Sequence, residues 1–203
     1  MIGIQNLPST SQANSPATSK DPSWVAEIKA RYGEAENLLK TFNPSRVAEF
    51  AMMERRCLTG LAPSLARVSR TYGYAVAKSW LEIQINAVGN YAGVREKQSI
   101  DQLVQTAETM MVEYPYLKLT EWMLFFHKLK AGTYGSFYGV VDGMRIGEAM
   151  RKFIEWRRTE LQRIDREKAL SENERQANER RLRWMAETYE VFKEYAAEWL
   201  LTL

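Results

Sequence analysis

From Ser23 onward the large apolar residues recur every three or four positions, the repeat of one helix face, and they never alternate long enough to make a strand. The pattern predicts an all-α, multi-helix bundle. Trp24, Ile28, Leu38 and Leu39 mark a first helical segment, with Ser23 as its N-cap and a weak point at Tyr32-Gly33. Asn43-Pro44 reads as a second start, and Val47, Phe50, Ala51 and Met53 build a face that stops near Gly60. Pro63-Ser64 opens a third. There Leu65, Val68, Tyr72, Val76, Trp80, Ile83 and Ala87 form one stripe to about Asn90, with Gly73 inside it as a kink or a close helix contact. Ser99 and Gln102 make a capping box for a helix carrying Ile100, Leu103, Val104, Ala107, Met110 and Met111, which Pro115 ends. Thr120 is the expected cap of the next helix, with Trp122, Leu124, Phe125, Phe126 and Leu129.

The stretch from Met144 to Leu203 contains no proline and a single glycine, Gly147. One continuous helix over it would be roughly 90 Å long, whereas a compact domain of this size has a radius of gyration near ~17 Å. Ser171-Glu-Asn-Glu174 has capping-box form in the middle of the polar part. The favoured expectation is a break near Leu170–Ser171 with the two halves folded into a hairpin; the alternative is one protruding helix that pairs with a second chain. Leu182, Met185, Tyr189, Phe192, Ala196 and Trp199 step by 3, 4, 3, 4 and 3. Over fewer than three heptads this spacing favours ordinary helix packing above a coiled coil.

These patterns divide the chain into three parts. Residues 1–22 are too polar to offset their ordering entropy and read as a disordered tail. Residues 23–165 form a helical domain. Residues 166–203 form a C-terminal helix that packs back or mediates oligomerisation through Leu182, Met185, Tyr189, Phe192 and Trp199.

Composition narrows the chemistry. The chain has one cysteine, Cys57, and one histidine, His127. Neither an intrachain disulfide nor the usual Cys/His zinc set can be built from them. No phosphate-binding loop, dinucleotide fingerprint or nucleophile elbow is present. The expectation is a protein without enzymatic activity, cofactor or metal. No apolar run is long enough to span a bilayer, and no signal-peptide pattern opens the chain; a cytoplasmic location with no membrane contact is expected. The net charge of +3 is mild but uneven. Residues 41–80 carry +4, 81–117 carry −3, 118–165 carry +3 and 166–203 carry −1, so a surface with one basic side is plausible.

The densest local signal is Lys128-Leu-Lys-Ala-Gly-Thr-Tyr-Gly-Ser-Phe-Tyr-Gly-Val-Val-Asp142, where three glycines alternate with aromatics between basic helices. Its rings could plug the end of the bundle, with Asp142 capping the last helix and residues 136–141 forming at most a short hairpin. They could equally form a platform that stacks nucleic-acid bases. That platform would be Tyr134, Phe137 and Tyr138, flanked by Lys128, Lys130, Arg145, Arg151, Lys152 and Arg158. The basic positions also fit a solvated face partly neutralised by Glu148, Glu155 and Glu160.

Leu119-Thr120, Phe125-Phe126, Lys130, Gly132, Tyr134-Gly135, Phe137-Tyr138-Gly139 and Asp142 form a motif that resembles one in a group of uncharacterised proteins of Bacteroidetes phages and mobile elements. The resemblance covers about a fifth of the chain, Leu119 to Arg157. It implies a role around DNA replication or element maintenance, of the kind a helicase loader plays. With no ATPase motif, that role would be exercised by binding DNA or a replication protein.

Overall fold

The computed structural model describes residues 22–93, 98–135 and 142–201, and among these every regular element is helical. The disordered-tail expectation for 1–22, apart from Pro22, and the hairpin expectation for 136–141 fall outside the described residues. The helices are α1 (Ser23–Tyr32), α2 (Ala35–Thr41), α3 (Val47–Ala51), α4 (Glu54–Thr59), α5 (Leu65–Tyr72), α6 (Tyr74–Tyr91), α7 (Ile100–Glu113), α8 (Leu119–Lys130) and α9 (Gly143–Leu201). A 3-10 turn, Pro44–Arg46, joins α2 to α3.

The start and stop signals explain most boundaries. Asn43 accepts from the Ser45 amide at 3.0 Å, and Ser64 accepts from the Arg67 amide at 3.3 Å. Ser99 and Gln102 form the full reciprocal box at the start of α7. Two expected caps are corrected. Pro22 occupies the cap position of α1, and Ser23 is already helical. At α8 the carboxylate of Glu121 reaches back to the Lys118 amide at 2.9 Å. The Thr120 hydroxyl instead donates to the Cys57 carbonyl at 2.8 Å, tying α8 to α4.

Gly73 separates α5 from α6 outright. Its φ of 100° and ψ of 151° lie in a region that side chains strongly disfavour. The stripe across it therefore changes phase. After Gly73 the buried positions are Ala77, Trp80, Leu81, Gln84, Ile85 and Val88, while Ile83 faces water. Trp80 Nε1 and Gln84 Nε2 both donate to the Phe42 carbonyl, at 2.9 and 2.7 Å.

α8 is the axis of the head. From Leu119 to Phe126 every residue but Thr120 is buried, because α3, α4, α6 and α9 all pack against it. Trp122, Phe125 and Phe126 pack on one another, and Phe125 meets Phe153 of α9 edge-on at 5.5 Å. At the centre lies Glu121, fully buried. Its Oε1 is 2.9 Å from Arg157 Nε on α9 and 3.9 Å from Lys118 Nζ. Lys118 Nζ also donates to the carbonyls of Leu58 and Gly60. A single antiparallel bridge, Ser64 with Lys118, holds the start of α5 to the α7–α8 turn.

The expected break at Leu170–Ser171 is absent: α9 is one helix of 59 residues, about 88 Å at 1.5 Å per residue. The capping-box pattern is absorbed into it. The Ser171 hydroxyl donates to the Lys168 carbonyl, and Glu172 pairs forward with Arg175 and Gln176. Further pairs between Arg163 and Glu160, Arg163 and Glu167, and Arg175 and Glu179 bind successive turns. Among the described residues Ile164 is the last buried one of α9, and Arg55–Glu167, at 2.7 Å, is its last ion pair to the head.

Replacing Glu121 with Ala leaves Arg157 and Lys118 facing a void and is expected to cost about 2–4 kcal/mol, read as a lower urea midpoint. Gly73→Ala is expected to cost about 1–3 kcal/mol although nothing lies near its side-chain position, because the strain is in the backbone.

Candidate functional site

The structure splits the expected binding residues into two regions. The first is the end of the head around Lys128–Arg158. Lys128 Nζ lies 2.9 Å from the Glu54 carboxylate and 4.0 Å from the Trp156 ring centroid. One ammonium thus fastens α8 to both α4 and α9. Lys130 sits 5.8 Å from the ring of Tyr91, and burial lowers its pKa. Tyr134 follows Gly132 in the turn after α8. Gly132 and Gly135 have φ of 73° and 108° and let the chain fold Tyr134 back onto the core. There its ring stacks on Phe125 at 6.2 Å, and its buried hydroxyl has no hydrogen-bond partner among the described residues. Burial, with Glu54 nearby, raises its pKa. Tyr134 therefore plugs the bundle and is no exposed platform. Phe137 and Tyr138 lie outside the described residues.

Asp142 caps α9 as the sequence suggested, accepting from the Arg145 amide at 2.8 Å. Its carboxylate also lies 3.6 Å from Arg145 Nε. Lys152 pairs with Glu148 at 2.9 Å. Arg151 and Arg158 are exposed and form no ion pair with the described residues. Arg151 borders an open groove of about 500 Å³ between α7 and α9, with Gln102, Thr106, Met110, Met144 and Gly147 along it. Gly143 allows this close approach, because a Cβ there would come within 2.5 Å of the Thr106 hydroxyl. Four of the six basic positions, Lys128, Lys130, Arg145 and Lys152, are thus spent on carboxylates or rings.

Cys57 is buried and donates to the Phe50 carbonyl at 3.2 Å. Burial, reinforced by Glu121 and Glu54, pushes its thiol up to about 11, so it stays protonated at neutral pH. Among the described residues no cluster of three or more His, Cys, Asp or Glu converges on a metal position. No helix is long and apolar enough to cross a membrane.

The second region is the free half of α9. From Lys168 to Ala196 every residue is exposed except the half-buried Thr188. Leu182, Trp184, Met185, Tyr189, Val191, Phe192 and Tyr195 are between 50% and 71% exposed, and Trp199 is 65% exposed. The expected stripe is therefore present, but it does not pack back onto the head. Trp184, Val191 and Tyr195 widen it beyond the six positions that the heptad spacing picks out. A single-stripe reading of the sequence misses them; a full helical wheel finds them.

Residues 97–195, just under half of the chain, match the model of a family of unknown function, DUF6633. The matched segment runs from the approach to α7 through α8 and along the arm nearly to its end. No curated protein and no solved structure matches the chain.

Lys128→Ala, which removes an ion pair and a ring contact together, is expected to lower stability by about 1–2 kcal/mol. Arg158→Ala should leave the denaturation midpoint unchanged. Tyr134→Phe deletes only a buried hydroxyl with no hydrogen-bond partner among the described residues and should leave the midpoint equal or raise it by up to about 1 kcal/mol.

Proposed function

We propose that this protein is a non-enzymatic, helical interaction module. The head grips the first half of α9 and presents the second half as a rigid arm that docks on another protein. The observation that carries this reading is the arm's apolar face, seven large residues half-exposed or more on one continuous helix. Soluble chains seldom leave so large a contiguous apolar surface in water unless something covers it. Trp and Tyr are also the residues on which binding energy concentrates. The family match extends over the arm, which supports reading it together with α7 and α8 as one unit.

Contact with DNA or a replication protein through the Lys128–Arg158 segment has weaker support. Of its six named cations, Lys128, Arg145 and Lys152 pair with carboxylates and Lys130 lies over a ring, while Arg151 and Arg158 have no ion pair among the described residues; phosphate recognition draws on several cations at once.

Photo-crosslinking residues placed singly at 192 and 195, on the apolar face, and at 187 and 194, on the polar face, test the reading in the cells that make the protein. Adducts from the apolar positions alone are expected. Equal yields from both faces, or none from either, overturn it. Ending the chain after Leu170 should remove the adducts and leave the melting temperature of the head unchanged, since the buried residues and ion pairs that seat α9 in the head run from Ile146 to Glu167.

A further inference from the structure

We infer that the arm's partner is the arm of a second copy of this chain, aligned antiparallel. This rests on the interaction reading above and names its partner.

Three features of the arm support it. The first is area. A buried aromatic ring removes roughly 150–250 Å² from water, so Trp184, Tyr189, Phe192 and Tyr195 at their present exposure would contribute roughly 400–700 Å². With Leu182 and Met185 added, the face comes close to the roughly 800 Å² per partner of a standard interface. The second is repeat. Leu182, Met185, Tyr189, Phe192 and Ala196 step by 3, 4, 3 and 4, the spacing at which one helix fills the gaps of another like it.

The third is charge, and it sets direction. Residues 180–185 carry +3 from Arg180, Arg181 and Arg183. Residues 186–199 carry −3, four glutamates against Lys193. Two arms side by side in parallel would set the arginines against arginines and the glutamates against glutamates. Reversing one arm, with Met185 of each copy level with Ala196 of the other, separates the two arginine clusters and sets each beside residues 196–201 of the other arm, which include Glu198. The antiparallel arrangement thus removes the arginine–arginine repulsion of the parallel one, and identical copies related by a two-fold axis can adopt it. Residues 180–199 of the arm carry as many carboxylates as cations, so an anionic lipid surface gains no net attraction to them as the cover.

The full chain with Cys57→Ser provides the test, because Cys57 is the only cysteine. Sedimentation of this chain is expected to show a concentration-dependent dimer of the 23.5 kDa protein. Under oxidation, Met185→Cys and Ala196→Cys should each fail to self-link, and their mixture should link 185 to 196. Self-linked 185–185 and 196–196 overturn the antiparallel pairing. Reversing Arg180, Arg181 and Arg183 to Glu should weaken the dimer about tenfold at low salt, because each copy loses attraction at both ends; in a parallel pair the same change leaves repulsion as it was, and an unchanged affinity overturns the proposal. All these positions are exposed, so an unaltered melt of the head excludes misfolding as the cause. A purified monomer at high concentration, with photo-adducts to a different protein in cells, overturns the second-copy inference and leaves the interaction reading standing. A monomer without adducts overturns both.

Discussion

One carboxylate organises the head. Glu121 has no exposure to water and sits where α4, α8, α9 and the turn before α8 converge. A buried charge is tolerated only when its partners are close and well placed. Here Arg157 approaches from α9, and the Lys118 amide is drawn back onto the side chain. Lys118 in turn donates to the two carbonyls that close α4. Burial lowers the pKa of Lys118, so its ammonium is held by those acceptors and by Glu121 against a cost of desolvation. Hydrophobic packing alone would let α9 rotate or slide along α8. The Glu121–Arg157 pair fixes its register.

Register matters because α9 is a lever. About its first 25 residues are seated in the head, anchored by Ile146, Met150, Phe153 and Ile164, by the Lys128 contact with the Trp156 ring and by the Arg55–Glu167 ion pair. From Lys168 to Ala196 the side chains are exposed apart from the half-buried Thr188. This stretch stays helical through pairs spaced three and four apart and through the absence of glycine and proline beyond Gly147. A small rotation at the seat would sweep the apolar face through many ångströms at its far end. The same clamp that stabilises the head therefore aims the arm. The exposed half is polar from Ser171 to Arg181 and carries its large apolar residues from Leu182 on, a division that holds the sticky face away from the head.

Features set by a few neighbouring residues were legible in the chain. The Ser99–Gln102 box, the Asn43 and Ser64 caps and the Asp142 cap each need a donor and an acceptor within three positions. Buried α8 announced itself by apolar residues all round. Gly73 was read as a kink because its backbone could take many conformations; the one adopted cuts the helix and rotates the following stripe. The Ser171 box failed for a related reason. The same Ser, Glu and Arg side chains can cap a new helix or bridge turns of an existing one, and here the bridging pairs prevail. The partner of Lys128 is Glu54, 74 positions earlier, and no local pattern reveals a pairing at that distance.

The sequence by itself determined the helical class, the principal caps, the composition of the core face and the spacing of the arm's apolar stripe, because all of these depend on a periodicity of three to four residues. Only the tertiary structure decided whether a given cation faced water or a carboxylate, whether Tyr134 plugged the bundle, and whether α9 folded back or stood free. Those outcomes turn on segments far apart in the chain competing for the same surface. The head is already filled by α3, α4, α6 and the first half of α9, leaving no seat for the second half.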